Sequence, residues 1–114
     1  MVISRGEKVH VITRRQFEAD LSRHFAGVVE EAAEGIVRAV GYTCVYDQAK
    51  SEFVRRGERR TRLFGSGDAG LIINVLPETV DLESLRYSPD ENGLRALTDA
   101  QGFEMIIGEF GAFR

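Results

Sequence analysis

The chain has 114 residues, a formal net charge of −3, 43% hydrophobic and 29% charged residues, the usage of a globular protein rather than of a disordered or collagenous one. That length suits a single domain spanning 1–114, able to remove roughly two thirds of its unfolded surface from water. No run of about 18 apolar residues occurs, so no helix is expected to cross a membrane, and Arg5, Glu7 and Lys8 fall where a signal peptide needs apolar residues, which leads us to expect a cytoplasmic protein.

The first element predicted along the chain is a short helix opening at Thr13. Thr13-Arg14-Arg15-Gln16 fits a capping box, and Ile12 and Phe17 stand at the spacing of a hydrophobic staple. Phe17, Leu21, His24 and Phe25 then recur at three- and four-residue steps as one apolar stripe, and Gly27 provides a stop. From Val28 onward the texture is that of short strands. Val28-Val29 opens a first run, Ala33-Glu34-Gly35 forms a turn, and Ile36 to Tyr46 is a long β-branched and aromatic run bent at Gly41. Phe53-Val54, Thr61 to Phe64 and Leu71 to Leu76 read as further strands, the last ended by Pro77. Residues 78–87 fit either a helical turn or an irregular strand. Asn92-Gly93 and Asp99 to Gly102 are turn signals, and Phe103, Met105 and Ile107 alternate with Glu104, so a C-terminal β-meander is expected.

Few residues suggest chemistry. Cys44 is the single cysteine; with His10 and His24 on separate elements, no metal site and no cofactor are expected. His24 is read as packing at the helix end, His10 as pointing outward, and Cys44 as a small buried hydrophobe. Gly65-Ser66-Gly67-Asp68-Ala69-Gly70 matches the glycine pattern of dinucleotide-binding turns. That pattern works only where a helix follows, whereas Leu71 begins a strand, so a flexible hairpin loop is the expectation. No nucleophile, base and charge-stabilising group are assembled by any motif, and an enzyme is not expected.

Charge is distributed unevenly. Residues 53–64 carry Arg55, Arg56, Arg59, Arg60 and Arg62 against Glu58 alone, while residues 65–114 carry 3 basic and 9 acidic groups. Phe53 to Phe64 reads as a hairpin bearing five guanidinium groups, which bind phosphate with paired hydrogen bonds and stack on bases. The competing explanation is a plain solvated surface: lysine is represented only by Lys8 and Lys50, and charges on edge strands discourage aggregation.

Val40-Gly41-Tyr42-Thr43-Cys44-Val45-Tyr46-Asp47, followed by Glu52-Phe53-Val54, resembles the first motif of Sm-like domains, with a glycine in a bent strand and an aromatic-Asp pair before a turn. The resemblance covers about a third of the chain. It implies a mainly β (α+β) fold: a short N-terminal helix, then a small, strongly bent antiparallel β-barrel of Sm/SH3-like type, here extended by the C-terminal meander. It also implies homo-oligomeric rings and RNA as partner. Two departures bear on specificity. Gln48 to Glu52 replaces the family's RNA-contacting Asn after Asp47, and Asn74 and Pro77 stand where its Arg-Gly pair belongs. The functional expectation is an oligomeric Sm-like protein contacting RNA through the Arg-rich segment. The alternative is a protein–protein assembly module, of unidentified partner, that binds no nucleic acid.

Overall fold

The computed structural model describes residues 2–13, 23–47, 49–50, 52–67, 70–89 and 95–107. The chain forms two compact units, Met1–Glu78 and Thr79–Arg114. The first contains β1 (Lys8–Thr13), β2 (Arg23–Ala33), β3 (Ile36–Asp47), β4 (Glu52–Gly65) and β5 (Leu71–Leu76). These make one antiparallel sheet in the order β4-β3-β2-β1-β5.

Local chemistry sets the β2–β3 hairpin. Glu34 and Gly35 both hold positive φ, 52° and 78°, the conformation of a tight turn whose twist matches its strands. Ala33 then pairs with Ile36, and the ladder continues to Arg23↔Val45 with Glu30 bulged out. One face of the sheet buries Val9, Val11, Phe25, Val29, Val37 and Ala39, joined by Ile3 from the N-terminal turn and by Phe64, Leu71 and Ile73 at its margin.

The sheet bends sharply around this core. Gly27 and Gly41 face each other across β2 and β3, and a Cβ on Gly41 would collide with the Ala26 carbonyl oxygen and lie 2.5 Å from Gly27 Cα. Phe25 is opposite Thr43, and Phe64 is opposite Val37. Those positions on β3 lie six residues apart, about 20 Å along a straight strand, yet the two rings meet at 5.3 Å between centroids. The core face is therefore the concave one, and the expected bend at Gly41 is present.

Two other expectations for this unit are corrected. Among the described residues no N-terminal helix is found: β1 runs through Thr13, and His24, Phe25 and Gly27, read as its last turn and stop, lie in β2. Phe17 and Leu21 fall outside the described residues. The physical reason is that β2 buries four consecutive residues, His24 to Gly27, so both faces of the strand are apolar and the alternation that marks a strand disappears. Nor is the barrel closed. Among the described residues β4 and β5 stand at opposite ends of the strand order and do not pair, which leaves an open, bent sheet.

The second unit holds a 3₁₀ turn, Leu82–Ser84, then β6 (Arg86–Pro89), β7 (Arg95–Thr98) and β8 (Glu104–Ile106) in the antiparallel order β6-β7-β8. The C-terminal meander is thus present, while the Asn92-Gly93 turn lies outside the described residues. Asp99 organises this unit. One of its carboxylate oxygens accepts hydrogen bonds from the Gln101 and Phe103 amides at 2.9 Å each, and the other from the Asp81 amide at 2.7 Å. Asp81 in turn caps the 3₁₀ turn through the Glu83 amide. Among the described residues no helix is long and apolar enough to cross a membrane.

Candidate nucleic-acid interface

The arginine-rich segment is not a hairpin. Residues 52–65 form one continuous strand, β4, at the margin of the sheet. Gly57 sits in an irregularity where Thr43 alone stands opposite Arg56, Gly57 and Glu58. The segment lacks strand-like alternation because its outer half is solvated on both faces, every residue from Arg55 to Leu63 being exposed. The glycine-rich segment after it is not a hairpin loop either, since the strands it joins, β4 and β5, do not pair. No helix follows it, and Asp68 and Ala69 lie outside the described residues.

Register sorts the five arginines. Directly opposed residues of an antiparallel pair share a face. Arg55 is opposite Cys44 and Arg59 opposite Tyr42, so both lie on the convex face; Arg60 is opposite Gly41 and Arg62 opposite Ala39, so both lie on the concave face. Arg56 lies within the bulge. The bulge also shortens a distance. Arg55 and Arg59 are four residues apart in sequence, but their partners on β3 are two apart, a spacing of about 7 Å.

Local contacts differ between the two groups. The Arg55 guanidinium lies over the Tyr42 ring, 4.8 Å from its centroid, an attraction between a cation and the negative face of the ring. On the other face, Arg60 is bound to Glu58 at 2.8 Å in an exposed ion pair. Sequence reasoning singled out the arginines but not Tyr42 as their companion. Tyr42 and Arg55 are remote in sequence, and only the β3–β4 register brings them together.

Further along the convex face, aromatic rings pack against one another. His24 stacks on Phe53 at 4.3 Å between centroids and meets His10 edge-on at 5.0 Å, and Tyr46 meets Phe53 at 5.4 Å. His10, expected to point outward, is fully buried, and His24 is buried within a strand rather than at a helix end. Burial pushes the His10 pKa down to about 4, because the charged ring loses its hydration. Cys44 is buried as expected.

No family model matches this chain, and no curated protein or solved structure matches it either. Among the described residues no group of three or more His, Cys, Asp or Glu could hold a metal ion. A shallow groove of about 610 Å³ runs along Ile3, Ser4 and Arg5 and the outer end of β2 at Glu30, Glu31 and Ala32. Its opposed charges offer no obvious ligand. The guanidinium array on β4 is the feature with a distinct chemistry.

Proposed function

We propose that this protein is a small antiparallel β module that contacts nucleic acid, with RNA as the first candidate, through Arg55, Arg56, Arg59, Arg60 and Arg62. The observation that carries the reading is that five guanidinium groups are exposed on one marginal strand of a chain whose net charge is negative. A cationic strip on an acidic body draws a polyanion to one place and discourages it elsewhere. Arginine near an aromatic ring suits single strands, whose phosphates pair with the guanidinium while their bases stack. The resemblance to Sm-like domains belongs to the same reading, supported by the five antiparallel strands and the bend at Gly27 and Gly41. We assign the activity to the cytoplasm and to a binding protein rather than an enzyme.

The test is binding of a labelled single-stranded RNA as salt is raised. Each phosphate neutralised contributes a slope of about −0.7 to the plot of log affinity against log salt. Replacing Arg55, Arg56, Arg59 and Arg60 together by Gln should abolish binding while leaving the circular dichroism spectrum unchanged. Affinity that survives the quadruple change would rule the reading out.

A second reading, assembly, is favoured by another observation. β5 is at the opposite margin of the sheet, its six residues Leu71–Leu76 carry no charge, and Ile72 and Val75 are about half exposed. Backbone groups on such an edge are readily satisfied by a strand from another chain. A homo-oligomer would use this edge and leave β4, at the other margin of the sheet, outside the contact.

A further inference from the structure

We propose that Tyr42, Arg55 and Arg59 form a stacking site for one unpaired base and its phosphate on the convex face of the sheet, with Arg60 and Arg62 outside it. The inference rests on β4 being the nucleic-acid strand and divides that strand into two halves of unequal consequence. Three observations carry it. First, the register puts Arg55 and Arg59 on the face of Tyr42 and puts Arg60 and Arg62 on the other. Second, the Arg55 guanidinium is already held over the Tyr42 ring at 4.8 Å, so a planar cation backed by a ring is oriented before any ligand arrives. A base that joins that stack meets a side chain already ordered, which lowers the cost of binding. Third, the bulge of Arg56 to Glu58 brings Arg59 opposite Tyr42, two β3 positions from the partner of Arg55. At about 7 Å that spacing lets one guanidinium stack on a base while the next holds a neighbouring phosphate.

On the concave face Arg60 is engaged by Glu58 at 2.8 Å. A phosphate there would have to displace a carboxylate and would meet its repulsion. The ligand class is a flexible single strand, because bases inside a duplex do not expose their faces. Stacking is tolerant of base identity, so the site distinguishes single from double strands rather than one sequence from another.

The test uses the intact chain and two labelled 12-residue oligonucleotides, all-uridine RNA and all-thymidine DNA, read by fluorescence anisotropy at low salt, with an unlabelled duplex as competitor. The Arg55→Gln/Arg59→Gln double variant is expected to weaken binding about tenfold or more. Arg60→Gln/Arg62→Gln is expected to change it by less than about threefold. Tyr42→Leu should weaken binding without changing the salt slope, because it removes a stacking surface and no charge, while Tyr42→Phe should bind as the parent does. If Tyr42→Leu does not fold, the two arginine pairs decide alone, since all four side chains are exposed. Equal losses from both arginine pairs would overturn the stacking site and leave the broader reading of β4 intact. A parent protein that binds neither oligonucleotide would remove both. Tighter binding of the duplex than of the single strands would also overturn the site.

Discussion

At the scale of single residues, the buried imidazoles show most directly how tertiary burial changes chemistry. His10 lies on β1 between β2 and β5, with its ring edge-on to His24, and its pKa is lowered from 6.5 to about 4. In the unfolded chain the same ring takes a proton near pH 6.5, so between the two values the unfolded state binds more protons than the folded one. Stability must then be complete above about pH 6.5, decline as pH falls towards about 4, and change no further from this cause below that. The whole shift corresponds to a contribution on the order of 3 kcal/mol. Denaturant midpoints of the parent and His10→Gln across this range should converge as the medium is acidified, because only the parent carries the titrating ring. Parallel curves would show that His10 does not set the acid limb.

At the scale of elements, the bend in β2 and β3 depends on two glycines that approach where no side chain fits. Gly41→Val adds a residue type favoured in strands, yet its Cβ would strike the Ala26 carbonyl. The loss of stability should reach about 3 kcal/mol or prevent folding. Gly57 in the β4 bulge has nothing within 4 Å of an added Cβ, so Gly57→Ala should cost less than about 1 kcal/mol. Thermal unfolding of the two variants provides the comparison, and a mild effect at Gly41 would mean that the sheet can bend without the close approach. β4 illustrates the other side of element-level reading. Its bulge cannot be recognised from Arg56-Gly57-Glu58 alone, because the same residues suit a turn as well as an extra loop of strand.

At the scale of the whole molecule, the open sheet presents two margins of contrasting chemistry: β4 with its arginines and β5 with its uncharged apolar run. Like charges oppose pairing of β4 with another β4, whereas β5 carries no such barrier. If β5 is the assembly edge, the mass measured by analytical ultracentrifugation should rise with concentration. Ile72→Lys should then return the protein to a monomer without altering its fold, since Ile72 is already 47% exposed. A parent chain that remains monomeric throughout would dismiss the assembly reading.

Several features could be read from sequence because they depend on residues close together in the chain. The Glu34-Gly35 turn, β5 from Leu71 to Leu76 with its end before Pro77, the burial of Cys44 and the Asp99 to Gly102 turn all belong to this class. The mainly antiparallel β character and the arginine concentration between Phe53 and Phe64 were legible for the same reason. Tertiary structure alone decided that His24 and Phe25 belong to a strand, because a strand buried on both faces loses the alternation that identifies it. It also decided that the arginines share one strand, which of them face Tyr42, and that among the described residues β4 and β5 do not pair with each other. Those outcomes are set by register between segments far apart in sequence, and pairing across a sheet is governed by the faces both partners bury rather than by either segment's own composition.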